Sequence, residues 1–134
     1  MPPTRDELLP LATEGDVVLM RQTVRERMKQ CGFTLVDQTK MVTAASELGR
    51  NALIHGGGGS VRIEVLAEGM RTGIRLTFED HGPGIADLAL AMTDGYSTGS
   101  GLGLGLGGSK RLVDEFEVRS APGAGTRITV ARWK

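Results

Sequence analysis

Two side chains able to do chemistry stand one helical turn apart near the middle of the chain. Glu47 and Asn51 are separated by four positions, a spacing that places both on the same side of an α-helix. A glutamate there can serve as a general base, and an asparagine can offer its side-chain oxygen to a hard cation. The same spacing also fits two ordinary polar residues on a helix flank. We expect both at the edge of the helix's apolar stripe, neither in the core nor fully in water, the stripe being Met41, Ala45, Leu48 and Ala52.

A third candidate, Asp80, follows a strand pattern and precedes two glycines, Gly82 and Gly84. A carboxylate held at a strand end beside glycines can accept a hydrogen bond from an exocyclic amine such as that of adenine. The alternative is a turn aspartate whose oxygen bonds its own backbone. Thr126, after Gly123-Ala124-Gly125, is either a plain strand start or a further part of the same site.

The chain holds 20 glycines, which cluster at 56–59, 82–84, 99–108 and 123–125. Residues 103–108 match G-x-G-x-x-G, but no strand precedes them and no acid follows at the spacing that a Rossmann site needs. The order Gly108-Ser109-Lys110 likewise excludes a Walker A loop. What remains is a glycine-rich stretch leading into a helix start, which is either an anion cradle or a flexible surface loop.

Composition bounds the class of protein. The 134 residues, 40% hydrophobic and 24% charged, predict one globular domain over 1–134. Sixteen basic and sixteen acidic residues cancel, and no basic run indicates a nucleic-acid surface. The single cysteine, Cys31, suits a reducing compartment, and no apolar run approaches the roughly 20 residues of a membrane span. With no signal peptide at the N-terminus, we expect a cytoplasmic protein without membrane contact.

The elements that must position these residues follow from periodicity. Helical spacing predicts one helix from Asp16, as its N-cap, to about Gln30, and a second from a Thr34/Asp37 capping box to about His55. Alternation predicts an edge strand at 8–11, a hairpin of strands at 61–65 and 74–78, and two more strands at 116–120 and 126–133. Two further helices are predicted at 86–92 and 105–114. The expected fold is an α+β two-layer sandwich with helices on one face of a mixed or antiparallel sheet.

Four motifs now stand in order: Glu47-x-x-x-Asn51, Asp80-x-Gly82-x-Gly84-Ile85, Gly99-x-Gly101-x-Gly103-x-Gly105 and Gly123-x-Gly125-Thr126. Together they resemble the N box, the G1 box, the G2 box with its lid, and the last adenine-side motif of the GHKL ATPase/kinase superfamily, which has the Bergerat nucleotide-binding fold. Within that superfamily the chain is most similar to the small bacterial RsbT-like serine/threonine kinases of the anti-sigma regulatory factor group.

The resemblance implies ATP and Mg²⁺ as ligands and assigns a role to each position. Glu47 would be the catalytic base, Asn51 would bind Mg²⁺ and ATP, and Asp80 would hold the adenine amine, with Thr126 supporting it. The remaining ATP-binding positions would be Gly82, Gly84, Ile85, Gly99, Gly101, Leu102, Gly103, Leu104 and Gly105. Because no Lys or Arg stands between Ile85 and Ser109, neutralisation of the γ-phosphate would rest on Mg²⁺, backbone N–H groups, and Arg50 or Lys110.

The resemblance also implies protein partners. The substrate would be a STAS-domain protein of the RsbS or RsbR kind, phosphorylated on Ser or Thr, and a PP2C-type phosphatase would be a second partner. One alternative is an anti-sigma factor of the RsbW or SpoIIAB kind, which binds and sequesters a sigma factor. Another is a detached histidine-kinase catalytic domain, which needs a separate partner carrying the histidine.

Overall fold

The computed structural model describes residues 6–84 and 105–134. In this part of the chain, three helices and five strands form two layers. The helices are α1 (Glu14–Gln30), α2 (Leu35–Ile54) and α3 (Gly105–Lys110). The strands are β1 (Asp6–Leu11), β2 (Gly59–Glu68), β3 (Arg71–Asp80), β4 (Glu115–Ser120) and β5 (Thr126–Trp133).

The five strands form one sheet in the order β1-β2-β3-β5-β4, and every neighbouring pair is antiparallel. The predicted hairpin between 61–65 and 74–78 is confirmed, and its connection is tighter than the sequence indicated. Glu68 pairs with Arg71, so only Gly69 and Met70 form the turn. The predicted edge strand before α1 is also confirmed, because β1 lies at the edge of the sheet and pairs only with β2 within the described residues.

The core lies between the inner face of the sheet and the helices. Alternate side chains of β3 (Ile74, Leu76 and Phe78) are buried there, as period-two strands require. The helices cover them with the predicted apolar stripe of α2, which is Met41, Ala45, Leu48 and Ala52, and with four residues of α1 at helical spacing, which are Val17, Met20, Val24 and Met28. The predicted α+β two-layer sandwich is therefore confirmed.

Helix α1 begins one turn earlier than its predicted cap. Thr13 is the N-cap, and its Oγ1 accepts a hydrogen bond from the Asp16 N–H at 3.1 Å. Asp16 itself lies in the first turn, where its carboxylate accepts from the backbone N–H groups of Ala12 and Thr13. The prediction of Asp16 as N-cap was wrong because the two residues form a reciprocal capping box, in which the acid closes the motif that the threonine opens.

Helix α3 ends at Lys110, four residues before its predicted end. The Leu112 N–H donates to the Ser109 carbonyl oxygen at 3.1 Å, a three-residue spacing that tightens the chain into a turn. The Asp114 N–H then donates to Ala131 on β5, which draws the chain into the sheet. The predicted helix at 86–92 lies outside the described residues.

No helix within 6–84 or 105–134 combines the length and apolar character that crossing a bilayer requires.

Candidate functional site

Helix α2 places Glu47 and Asn51 one turn apart, as predicted, but at different depths. Asn51 is half-buried, which fits the expected edge of the apolar stripe. Glu47 is only 3% exposed, so the prediction that it would stay partly in water was wrong. The reason is that α2 is packed by both α1 and α3 as well as by the sheet. The methyl group of Met20 on α1 packs against the α2 backbone at Gly49, two residues from Glu47.

Asp80 ends β3 beside the C-terminal end of α2. A Cβ added at Gly56 would lie 2.3 Å from the Asp80 carboxylate carbon, and one added at Gly82 would lie 2.6 Å from the Gly56 Cα. Glycine is therefore required for the helix end and the strand end to meet this closely. The backbone carbonyl of Asn51 accepts from the Gly56 N–H at 3.3 Å, which links the N-box residue to this contact.

One oxygen of Asp80 is used internally. Its Oδ1 accepts a hydrogen bond from the Gly82 N–H at 3.0 Å, which is the turn-aspartate contact that the sequence had left open. Among residues 6–84 and 105–134, no group donates to the other oxygen, Oδ2. The turn contact thus fixes the carboxylate while leaving an acceptor available for an amine.

Two further backbone segments close around Asp80. Gly84 has φ +78°, and a Cβ there would lie 2.1 Å from the carbonyl oxygen of Ala121 in the β4–β5 turn. Beside this contact, the Gly123 N–H donates to the Pro83 carbonyl oxygen at 2.7 Å. Gly125 has φ +79°, and its α-carbon packs against the carbonyl oxygen of Asp80. A Cβ added at Gly125 would lie 2.3 Å from that oxygen. Gly56 and Gly125 therefore contact Asp80 itself, and Gly84 contacts the neighbouring β4–β5 turn, each at a position where a Cβ would collide.

Thr126 lies directly opposite Asp80 in the β3–β5 register. Its hydroxyl oxygen is 2.9 Å from that of Ser120, which also donates to the Gly125 carbonyl oxygen at 3.1 Å. Support of Asp80 by Thr126 stays a prediction. Ser120 and Gly56 were not predicted as part of the site. Ser120 could have been recognised as a hydroxyl residue at the end of β4, where it pairs with Thr126 across the final turn.

The structure therefore brings the C-terminal end of α2, which carries Asn51, to Asp80, Gly82 and Thr126, and it packs α3, which begins at Gly105, on α2. Leu106 of α3 is buried in the core, and α3 packs on α2. Six predicted ATP-binding positions lie outside the described residues: Ile85, Gly99, Gly101, Leu102, Gly103 and Leu104. Among the residues that are described, no three His, Cys, Asp or Glu side chains group in a way that could hold a metal ion.

Residues 36–134 match the family model described as histidine kinase-, DNA gyrase B-, and HSP90-like ATPase. The chain belongs to this ATPase family. The GHKL resemblance and the Bergerat fold expected from the sequence are thereby confirmed, and ATP use follows as a property of the family.

Curated relatives cover nearly the whole chain. The serine/threonine-protein kinase RsbT of Bacillus subtilis is 46% identical over 123 residues, which is 92% of this chain and 92% of the relative. The anti-sigma F factor of Clostridium novyi is 34% identical over 119 residues, covering 84% of this chain and 82% of the relative. The chain therefore spans more than four fifths of the length of both relatives.

Two solved structures share the fold. The RsbU and RsbW domains of a Mycobacterium tuberculosis protein match with a TM-score of 0.66 and 24% identity, covering 97% of this chain and 32% of that one. A histidine kinase domain from Erythrobacter litoralis matches with a TM-score of 0.54 and 19% identity, covering 92% of this chain and 60% of that one. At these identities the matches establish the fold alone.

Proposed function

We propose that this chain is an ATP-dependent serine/threonine-protein kinase that phosphorylates a STAS-domain antagonist protein and acts as a partner switch. The observation that carries the proposal is the 46% identity to a serine/threonine-protein kinase over 92% of both chains. Residues 1–134 would act as one kinase domain, and the location would be the cytoplasm, where ATP is available.

The adenine end of the site is built around Asp80. Its Oδ1 is held by the Gly82 N–H, so Oδ2 is presented in a fixed direction to an adenine amine. The glycines at 82, 84 and 125 let the backbone segments beside Asp80 pack closely on one another, since any Cβ there would collide with neighbouring backbone. Thr126 lies opposite Asp80 in the β3–β5 pair, its hydroxyl oxygen is 2.9 Å from that of Ser120, and it would support Asp80 at this end of the sheet.

The phosphate end would use α2. The resident ion would be Mg²⁺, which usually keeps several waters and takes few protein ligands beside substrate phosphates. The half-buried carboxamide of Asn51 suits such a site because it supplies one oxygen without a preformed cluster of acids. Bound Mg²⁺ would neutralise charge on the phosphates, and this is the chemistry that it would add.

Glu47 would act as the base toward the acceptor hydroxyl. Its 3% exposure keeps bulk water from the carboxylate, and a base withdrawn from water can be reserved for a substrate hydroxyl. The glycine positions from 99 to 105 would surround the phosphates with backbone N–H groups. Arg50, which is half-buried and precedes Asn51, and Lys110, which is exposed at the end of α3, are the nearby cations.

A second candidate function is sequestration of a sigma factor, and the 34% identity to an anti-sigma F factor over 84% of the chain favours it. The two proposals share ATP binding and differ in the partner. In the first, the partner is a STAS-domain protein that leaves phosphorylated, with a PP2C-type phosphatase as the protein activated afterwards. In the second, the bound protein is a sigma factor.

The deciding experiment combines purified protein, labelled ATP, Mg²⁺ and a STAS-domain protein from the same genome. We expect label on a Ser or Thr of the STAS-domain protein, lost in Glu47→Gln and in Asn51→Ala. Lys40→Ala, at an exposed position of the same helix, is the matched control and should keep full activity.

Other outcomes redirect the proposal. ATP binding without transfer, together with capture of a sigma factor, would establish the second candidate. No ATP binding by the wild-type protein would overturn both. We also expect slow ATP hydrolysis by the isolated protein, because no lid cation stands between Ile85 and Ser109, and fast hydrolysis without a partner would contradict that expectation.

A further inference from the structure

Arg132 is a charged side chain on the inner face of the sheet. It follows Ile128 and Val130 at period two along β5, and both of those residues are buried in the core. The Arg132 side chain is only 14% exposed. An arginine at a position where the strand pattern calls for an apolar residue requires an explanation beyond folding alone.

The guanidinium group joins two segments that are distant in sequence. Nη2 donates to Oδ1 of Asp37 in the first turn of α2 at 2.6 Å, and Nη1 donates to the carbonyl oxygen of Leu112, just after α3, at 2.8 Å. Because a guanidinium is planar and its donors are fixed relative to one another, the two bonds together set the spacing between the two segments.

The segment after α3 is itself held firmly on β5. The Asp114 N–H donates to the Ala131 carbonyl oxygen at 2.9 Å, and the Trp133 N–H donates to the Asp114 carboxylate at 2.7 Å. Arg132 lies between these two strand residues and adds the connection to α2. The arrangement therefore relates three elements, β5, α2 and the chain leaving α3, at one point.

Stability alone is a poor reason to keep this arrangement. Withdrawing charges from water is costly, and well-packed apolar residues often stabilise a fold as much as a buried ion pair does. Within the described residues, the Arg132 Nε is buried without any acceptor, which adds to that cost. The hydrogen bond from Arg132 lowers the pKa of Asp37, so the pair is ionised at neutral pH.

Each joined element leads to the candidate site. Helix α2 continues from Asp37 to Glu47 and Asn51, about 15 Å and about 21 Å further along its axis at ~1.5 Å per residue. Helix α3 begins at Gly105, the last glycine of the predicted phosphate stretch. A shift of α2 relative to α3 would therefore change the spacing between Asn51 and the start of α3 at Gly105.

We propose that Arg132 is a positioning residue for nucleotide binding, which fixes α2 and α3 at the separation that ATP requires by bonding Asp37 and the Leu112 carbonyl together. The inference rests on the proposed function, in which α2 and the glycine stretch before α3 contact the same nucleotide. Arg132 acts through those elements and touches no reacting atom.

The test measures the dissociation constant of Mg²⁺-ATP at 25 °C for the full chain. Arg132→Met removes both hydrogen bonds and should weaken ATP binding by about tenfold or more, because α2 and the start of α3 would no longer be held at one separation before the nucleotide binds. With the STAS-domain substrate, KM for ATP should rise in parallel, while kcat at saturating ATP should stay within about threefold of wild type.

Two conservative variants separate positioning from charge. Asp37→Asn keeps the Oδ1 acceptor and should bind ATP within about threefold of wild type. Arg132→Lys can reach only one of the two partners and should fall between wild type and Arg132→Met. The matched control is Arg75→Met, which likewise removes two arginine hydrogen bonds, here to Glu64 on the outer face at 3.0 and 3.1 Å, and should leave ATP affinity unchanged.

A merely stabilising role predicts a different result. If Arg132→Met is folded at 25 °C and binds ATP like the wild type, the inference is overturned; if that variant does not fold, unchanged affinity in Arg132→Lys overturns it. Wild-type protein that binds ATP without transferring phosphate would defeat the kinase proposal and leave this comparison intact. Wild-type protein that binds no ATP would defeat both.

Discussion

The two ends of the sandwich are held together in opposite ways. At one end, which we call the glycine end, backbone meets backbone around Asp80, and the contacts pass through Gly56, Gly82, Gly84 and Gly125. At the other end, which we call the side-chain end, large side chains join the elements; these are Asp37, Arg71, Arg132 and Trp133. The ends are separated along β3 by about 24 Å, from Gly73 to Asp80 at ~3.4 Å per residue.

The side-chain end shows how its residues fill space that glycine leaves open. The Trp133 ring packs on Gly73, where a Cβ would lie 2.7 Å from it, and the Arg71 guanidinium lies 4.4 Å from the ring centroid on the exposed side. The indole N–H of Trp133 donates to the Glu115 carboxylate at 2.8 Å. The glycine at this end makes room for another side chain of the protein.

Glycines therefore serve two purposes in this fold. At the glycine end they bring backbone groups and one carboxylate together, which suits contact with a flat ligand and leaves no side chain in the way. At the side-chain end they admit a side chain that closes the structure. A ligand site is therefore expected at the glycine end, where glycines leave no side chains. Three variants compare the two ends.

The largest effect is expected at the glycine end. Gly84→Ala should lower the free energy of unfolding by about 3 kcal/mol or more and abolish ATP binding, because its Cβ would lie 2.1 Å from the Ala121 carbonyl oxygen in addition to the left-handed φ of +78°. Urea denaturation followed by circular dichroism measures the loss.

Gly123→Ala is the matched control for that prediction. It shares the positive φ, at +77°, but nothing lies within 4 Å of the added Cβ, so only the conformational cost of about 1–2 kcal/mol applies. Equal losses in the two variants would show that close backbone approach does not define the glycine end.

An intermediate effect is expected at Asp37, and it should depend on pH. The hydrogen bond from Arg132 lowers the pKa of this carboxyl, so its stabilising contribution is present above the ordinary value of about 3.9 and is lost as pH falls through the lowered pKa. Asp37→Asn should therefore cost about 1–2 kcal/mol at pH 7.

That cost should shrink as pH is lowered below about 4, and unfolding titrations between pH 2 and 7 would follow it. Asp6→Asn is the control. The side chains of Asp6 and its ion-pair partner Arg62 are each 45% exposed, so the pair should contribute less than about 0.5 kcal/mol to the free energy of unfolding. A cost that stayed constant across the pH range would contradict an ionised pair with Arg132.

The smallest effect is expected from Arg71→Met at the side-chain end. The guanidinium lies over the Trp133 ring at an exposed position, so its loss should cost about 0.5 kcal/mol. Because the chain has a single tryptophan, its fluorescence reports this contact directly and should change in Arg71→Met. Unchanged emission would mean that the contact is not maintained in solution.

Local patterns in the sequence predicted most of the elements because they repeat along the chain. Period two identified the strands, and helical spacing identified the buried residues of α1 and α2. The errors occurred where a local signal had two solutions. Asp16 fits an N-cap as well as the third position of a capping box, and only Thr13, three residues earlier, decides between them.

The motif order in the sequence also predicted the family, and the match over 36–134 confirmed it. Depth was less predictable. The spacing of Glu47 and Asn51 placed them on one helix face, but the burial of Glu47 depends on packing by α1 and α3, which the local pattern does not encode. The six predicted site positions between 85 and 104 stay predictions.

The order of the described helices and strands, their apolar stripes and the four motifs followed from the sequence alone, since each depends on residues within a few positions of one another. Only the tertiary structure decided which distant residues meet. Arg132 and Asp37 are 95 positions apart, and Gly84 packs on Ala121 in the turn between β4 and β5. Such contacts depend on the sheet order and on how the helices pack on it, and a one-dimensional pattern does not contain those distances.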